Sequence, residues 1–558
     1  MRLEASPGRV PEAATVTGHA RPLLWRALLP LGLALITICY MVSAVQVSAT
    51  RLLWIDEVLA VMSARLPTAA DVRDALWKGS EFTPWTFNLI LHPLLRGLGP
   101  GDGLLLARVP SIAAVLGAAI CMFMLVRRHL GSAPAMVAFG VVLAGALFGY
   151  AVQARPYALL AFGAALAILA WDGIAIGRRS SNGWLLAAAL AFSVSMHFYG
   201  VLVPAAVGFM ELLWLVTRRR VRAAVWIPLV VAGVVLLFWV PLAQHYGTFI
   251  KSDVGTAATY YARPRLSAAR AVLLTILADG PPGTVLLLAG AATAGALALI
   301  GRRPDVAGFV DRWIGDAPTR SRDVGLGSLE IIMLALAMLP IIGFALAVLA
   351  VGSFQPRYVI PAALLPPLLA GYLAARVRPV RGFALAFAVV IAAMLLIKGR
   401  ALNDDPSKRG EATAQVLAAV EALPGREPIV VGDGTLFVEL YEAADRATRS
   451  RLLFPLPPSG VATEDTTALH QVERLATFLP GYPNVPTGSI LTRYPRFYLV
   501  YQPSPFDGVG PWLISSGRVG APIDATARIF LAGNSQSAAA RLNRPLSTIG
   551  TGLLQRGH

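Results

Sequence analysis

The chain is cut into apolar blocks of roughly 17–25 residues, each long enough to cross the hydrocarbon of a bilayer as an α-helix. Basic turns, short outer turns with one arginine or none, and two long loops separate the blocks. Helices apolar on every side need either a large core or lipid around them. The block lengths predict about eleven spans, near 23–47, 104–126, 134–152, 157–176, 183–197, 201–216, 224–242, 284–300, 328–350, 359–375 and 382–397. Of the 558 residues only 14% are charged, where a soluble chain carries about 25%. The expected fold class is a polytopic α-helical membrane protein with a C-terminal soluble α/β domain.

The net charge of +17 would suit nucleic acid if it lay on one domain, but it is dispersed. With Met1 inside, every inward turn is multiply basic: Arg127-Arg128, Arg178-Arg179, Arg218-Arg219-Arg220 with Arg222, Arg302-Arg303, and Arg376, Arg378 and Arg381. That is the bias of cytoplasmic loops. No basic helix interleaved with aromatics appears, so nucleic acid is not an expected partner. Anionic headgroups and phosphate-bearing lipids are. Cys39 and Cys121 both fall in apolar blocks and read as small core residues rather than a disulfide or metal site.

Residues 1–22 read as a cytoplasmic tail, and the first block as a retained anchor, being too long and poorly flanked for a removable signal. The membrane domain is expected over 23–398, with outer loops at about 48–103 and 243–283. Within the first loop, 68–77 and 86–98 have amphipathic helical spacing and should lie along the membrane surface. Residues 268–277 read as a short re-entrant or surface helix. From 399 to 558 the composition becomes mixed, and an extracytoplasmic α/β domain is expected. Its helices are predicted at 411–423 and 435–444, its strands at 428–431 and 496–501, and a loop at Pro455-Leu456-Pro457-Pro458. Gly432-Asp433-Gly434 follows a strand but is no dinucleotide fingerprint.

In this topology several polar motifs fall on the outer face. Asp56-Glu57 opens the first outer loop, where two carboxylates cost desolvation unless they meet water, a cation or a substrate. A carboxylate there can serve as a general base; equally, it can begin a loop or cap a helix. Arg155 is the charge of a very short outer turn, followed by Pro156 and Tyr157, and Arg357-Tyr358 after Pro356 repeats the arrangement. Two guanidiniums near one face can neutralise a phosphate, while snorkelling to headgroups is the ordinary alternative for either. His197 and Tyr199 occupy another outer turn. Lys251 and Arg263, with Arg265, are further cationic candidates in the second outer loop.

Taken in order, Asp56-Glu57, Arg108-Val109-Pro110-Ser111, Ala154-Arg155-Pro156-Tyr157-Ala158-Leu159, His197-Phe198-Tyr199 and Pro356-Arg357-Tyr358 resemble the GT-C superfamily of membrane glycosyltransferases. The likeness covers about 23–397. It is closest to the bacterial group of lipid A aminoarabinose transferases, rhizobial lipopolysaccharide sugar transferases and protein O-mannosyltransferase relatives. The resemblance implies Asp56 as catalytic base and Glu57 as its acidic companion. It implies a polyprenyl-phosphate-linked sugar donor, and a glycan, lipid or protein acceptor with a free hydroxyl. The reaction implied is an inverting displacement at the outer face of a bacterial cytoplasmic membrane, with Arg155 or Arg357 on the departing phosphate. Tyr157, His197, Tyr199, Tyr358, Lys251 and Arg263 are carried as substrate-binding candidates. No cofactor is demanded, and a divalent cation at Asp56/Glu57 stays open. The chain departs from the family at Glu81-Phe82-Thr83-Pro84-Trp85, where relatives often show His-Pro-Pro-Leu-Tyr, so sugar and acceptor stay open. Other classes also stay open: a transporter or flippase of lipid-linked sugars, an oligosaccharide ligase, or a silent glycolipid-binding relative. Motifs gathered at one face without an internal repeat speak against transport.

Overall fold

The computed structural model describes residues 23–177, 181–254, 262–278, 327–375, 383–404, 409–458, 467–515, 517–524 and 528–533. The expected span at 284–300, the tail 1–22, Arg178-Arg179, Arg302-Arg303, and Arg376, Arg378 and Arg381 lie outside the described residues. Among those described, eight helices are long and apolar enough to cross a membrane. Two shorter ones, α6 (Ser132–Ala144) and α9 (Ser181–Met196), stand where two more spans were expected. The chain is an integral membrane protein.

α1 (Leu23–Thr50) packs along the helix Phe383–Asp404, while α5 (Leu104–Leu130) lies between α6 and α8 (Tyr157–Ala175). Inside lipid there is no hydrophobic drive between helices, so close packing through small residues must supply the contact. α8 does this: a Cβ on Gly163 would sit 2.4 Å from Ser193 Oγ of α9. At the end away from Asp56, buried Asp172 meets His129 Nε2 at 2.7 Å, Arg128 at 3.3 Å and Ser328 Oγ at 2.8 Å. Buried Glu211 likewise pairs with Arg222.

Three expected elements differ in form. The block at 134–152 is not one helix: α6 ends at Ala144, and α7 (Leu147–Ala151) starts afresh after Gly145. The break frees carbonyls that lipid could not satisfy, and Lys398 Nζ takes two of them, Ala144 O at 3.0 Å and Gly145 O at 2.8 Å. The span at 359–375 begins as a 3-10 stretch, Pro356–Leu364, and becomes α-helical only over Leu365–Ala374. Pro356, Pro361, Pro366 and Pro367 lack the N–H that a regular α-helix uses. The seventh span does not stop at 242: α11 (Ala223–Val254) runs through Lys251, so much of the expected second loop begins as helix. The segment expected at 268–277 is α12 (Leu266–Ala278).

The first outer loop holds three helices: α2 (Ile55–Ala64), α3 (Ala69–Trp77) and α4 (Thr86–Leu95). α3 starts on a capping box, with Thr68 Oγ1 accepting the Asp71 N–H at 3.1 Å and Asp71 Oδ2 accepting the Thr68 N–H at 3.0 Å. α2 was not expected. Its ten residues are buried except one, Asp56.

Beyond Asp404 the chain builds a six-stranded sheet in the order β3-β2-β1-β4-β6-β5. β1 (Ile429–Val431), β2 (Leu452–Leu456), β3 (Asn484–Pro486) and β4 (Arg496–Val500) are parallel. β5 (Val519–Asp524) and β6 (Ile529–Gly533) close it as an antiparallel edge. Pro455 and Leu456, expected in a loop, belong to β2. Pairing with β1 ends at Leu453, so the N–H that Pro455 lacks costs no bond on that side.

Gly432-Asp433-Gly434 serves structure here. Asp433 Oδ1 caps the following helix, Gly434–Ala443, by accepting the Thr435 and Leu436 N–H groups at 2.7 and 3.0 Å. Gly432 lies so close to Asp507 that a Cβ would fall 2.3 Å from its Oδ1. Burial pushes the Asp507 carboxyl up to about 7, aided by Asp433 and opposed by the Gly510 and Val509 N–H groups. Between its ordinary value of 3.8 and about 7 the folded carboxyl holds a proton that the unfolded one has lost. Its contribution to stability is therefore present at low pH and declines as pH rises through that window. Thermal unfolding from pH 5 to pH 8 should show this decline, and Asp507→Asn should flatten it; an unchanged slope would contradict the assignment.

Two acidic residues of the Gly434–Ala443 helix hold the sheet unit against the first loop. Glu439 Oε1 accepts the Ile55 N–H at 2.9 Å. Glu442 receives both bonds of Arg65 Nη1, at 2.7 and 2.9 Å, and the Gly101 N–H at 3.0 Å. Arg474 adds a cation–π contact, 4.5 Å from the Phe249 ring at the end of α11.

Candidate active site

Glu57 fixes the floor of the site. It is fully buried, and its carboxylate takes Arg108 Nε and Nη2, each at 2.9 Å. It also accepts the Ala154 N–H at 2.6 Å and reaches back to the Trp54 N–H at 3.3 Å. Arg108, equally buried, spends its other donors on Ser48 O, Arg51 O and Leu52 O at 2.7–3.1 Å. Those carbonyls are at and just beyond the end of α1, where a helix leaves acceptors unpaired and favours a cation. One salt bridge thus joins the exit of α1, the entry of α2, the start of α5 and the turn before α8. Glu57 was expected beside the chemistry; in the structure both its oxygens are taken by Arg108 and by backbone N–H groups.

The neighbouring residue, Asp56, points away from the packed side of α2, and its side chain is 22% exposed. Arg357 Nη1 lies 3.5 Å from Asp56 Oδ2, and Arg155 Nη2 lies 4.0 Å from the same oxygen. Arg155 also donates to Asp56 O at 2.8 Å and pairs with Glu81, whose other oxygen accepts Asn88 Nδ2 at 3.1 Å. Ser111, in the turn of sequence that supplies Arg108, donates to Arg155 O at 3.2 Å. The Arg108-Val109-Pro110-Ser111 motif therefore supports both Glu57 and Arg155.

The walls are aromatic. The Arg357 guanidinium sits 5.7 Å from the Trp54 ring centroid, 6.0 Å from Tyr157 and 5.8 Å from Tyr358. Tyr199 stacks on Tyr358 at 4.7 Å, and its hydroxyl donates to Ser353 O. His197, in the turn after α9, packs against Tyr157 and Tyr358 at 5.5 and 5.4 Å, and its Nδ1 accepts the Tyr199 N–H at 3.1 Å. With Nδ1 accepting that N–H, a neutral ring carries its proton on Nε2 and can donate a hydrogen bond there.

The fold thus gathers Asp56, Arg155, Tyr157, His197, Tyr199, Arg357 and Tyr358 from segments up to three hundred residues apart. Arg263 is exposed, with no contact to Asp56 or either arginine among the described residues. Lys251 lies on the extension of α11, and its side chain is outside the described residues. Two residues of the site were not among the sequence's site candidates, Glu81 and Trp54, although Trp54 opens the motif Trp54-Ile55-Asp56-Glu57 and Glu81 the run 81–85. A carboxylate inside the largely apolar and aromatic run 81–90 was the available signal for Glu81.

Each carboxylate here already faces a guanidinium: Asp56 two of them, Glu57 Arg108, and Glu81 Arg155. That arrangement suits an anionic ligand and does not fit a divalent cation, which takes several carboxylate or carbonyl oxygens at once. Among the described residues no three His, Cys, Asp or Glu side chains converge. A partly exposed carboxylate beside two cations can accept a proton from a hydroxyl while the cations hold a phosphate.

No protein-family model and no curated protein matches the sequence. Solved structures do match. The chain shares its fold with ArnT from Cupriavidus metallidurans. The chain is similar to ArnT from Cupriavidus metallidurans in its apo state, at 14% identity and a TM-score of 0.56, over 92% of this chain and 99% of that one. Against ArnT bound to undecaprenyl phosphate, the identity is again 14% and the TM-score 0.53, over 93% and 99% of the two chains.

Proposed function

We propose that this chain is an inverting glycosyltransferase that moves a sugar from a polyprenyl-phosphate donor to a hydroxyl acceptor. The observation that carries the reading is Asp56, the one residue of α2 left unburied, with Oδ2 between two guanidiniums. The donor phosphate lies against Arg357, at the mouth, with Arg155 behind it. Asp56 takes the proton of the acceptor hydroxyl as that oxygen bonds to the anomeric carbon from the face opposite the phosphate. The carbon–oxygen bond to the phosphate breaks, and the polyprenyl phosphate leaves with the electron pair. The arginines stabilise the charge it gains. His197, Tyr157 and Tyr358 offer hydrogen bonds and, with Tyr199, shape the wall against the sugar. Glycan, lipid or protein can present the hydroxyl.

Orientation follows from charge. Arg127, Arg128, Arg218, Arg219, Arg220 and Arg222 all lie at the end of the bundle away from Asp56. The positive-inside rule then puts the site and the C-terminal sheet unit outside a bacterial cytoplasmic membrane, and the N-terminus inside. The undecaprenyl phosphate bound to ArnT, which shares the fold, supports a lipid phosphate as ligand.

The test is binding of undecaprenyl phosphate to the purified full chain in nanodiscs, together with transfer from radiolabelled polyprenyl-phosphate sugars. Arg357→Ala, which removes a charge-assisted bond at the partly open mouth, should weaken that binding by about tenfold to a hundredfold. Equal affinity in wild type and variant, or no binding by wild type, would rule the phosphate site out.

A further inference from the structure

The C-terminal sheet unit reaches the catalytic helix itself. α2 is short, and its first N–H groups have no partner inside the helix. Glu57 accepts one, from Trp54, and the next, from Ile55, goes to Glu439 of the C-terminal unit at 2.9 Å. Glu439 is 3% exposed, and its second oxygen accepts the Thr413 hydroxyl at 2.6 Å, which fixes the carboxylate's direction. A carboxylate at this end also meets the positive pole of the helix. One turn on, Glu442 grips Arg65, the C-cap of the same α2, and Arg65 Nη2 donates to Asp102 O at 2.6 Å. Both ends of a ten-residue helix are therefore held from one face of Gly434–Ala443, and Asp56 directly follows the residue held at its start.

We infer that Glu439 is a positioning residue for Asp56: by accepting the Ile55 N–H it sets the place and tilt of the catalytic carboxylate. The C-terminal unit is then part of the active site. This rests on the transferase reading for its kinetic consequence but not for its structural one. The reason it matters is geometric, since about 1 Å of misplacement at a reacting group can cost a hundredfold in rate. Arg155 and Arg357 come from other segments, and Arg155 is also held by Glu81, so donor binding depends on the contact less than turnover does.

The experiment uses the full chain in nanodiscs and compares wild type with Glu439→Ala and Glu439→Gln. Glutamine keeps an acceptor oxygen for the Ile55 N–H; alanine does not. Glu439→Ala should lower kcat by about tenfold to a hundredfold while changing the donor KM far less, and Glu439→Gln should restore most of the rate. Hydrogen exchange should speed up at residues 55–58 in the alanine variant alone, with α3 and α4 unaffected. An unchanged kcat with wild-type transfer intact overturns the inference. So does faster exchange across the whole first loop with kcat and KM altered alike, because Glu439 would then only hold the unit in place. If wild type transfers no sugar, the transferase reading fails by itself. Exchange then decides the contact: confined to 55–58 it upholds the cap, and unchanged it overturns it.

Discussion

Asp56→Asn should abolish most sugar transfer, by about a hundredfold to ten-thousandfold, the usual worth of a positioned general base. The amide has the shape of the carboxylate but cannot take the acceptor's proton. The protein should fold as before, because Asp56 is partly exposed and its backbone carbonyl keeps the bond from Arg155. The variant should also bind undecaprenyl phosphate at least as tightly as wild type. Removing a negative charge 3.5 Å from Arg357 and 4.0 Å from Arg155 frees both cations for the phosphate. Loss of transfer with binding retained or strengthened is thus the signature of a base standing between two phosphate ligands. Transfer within twofold of wild type, at equal abundance, would remove Asp56 from the chemistry.

Its neighbour should behave in the opposite way. Arg108→Ala strips the buried Glu57 carboxylate of its counter-ion and uncaps the end of α1. Breaking a buried pair by removing one partner costs about 3–5 kcal/mol, enough to lower the melting temperature steeply or prevent accumulation. Adding Glu57→Gln to Arg108→Met leaves no lone charge, while the glutamine carbonyl can still accept the Ala154 or Trp54 N–H. This double variant should recover much of the lost stability and transfer sugar well above the level of Asp56→Asn. If it folds and is as inactive as Asp56→Asn, Glu57 takes part in the reaction. Two adjacent carboxylates, Asp56 and Glu57, are then separated by experiment into one that reacts and one that holds.

Which of the two carboxylates is buried was not legible in the sequence. Asp56-Glu57 reads as a pair, and adjacency says nothing about which side chain faces the packed side of α2. On a helix, consecutive residues point about 100° apart, so burying Glu57 against Arg108 turns Asp56 outward. Arg155 and Arg357 were legible as isolated cations beside prolines at span ends. Their convergence on one carboxylate oxygen was not, because it depends on how α8 and the Pro356–Leu364 stretch pack. Glu81 was the weakest signal of all, being one acid in a loop until Arg155 is seen beside it. The C-terminal contact was invisible too: nothing in 434–443 tells that Glu439 is to cap a helix nearly four hundred residues earlier.

By itself the sequence determined what depends on local composition. Block length against bilayer thickness set the membrane-spanning character, and proline, glycine and charge marked where helices begin and end. Only the tertiary structure decided which polar groups meet. In lipid a buried carboxylate or guanidinium must find a partner at any sequence distance. The choice among the available partners is made by helix packing, which no short stretch of the chain encodes.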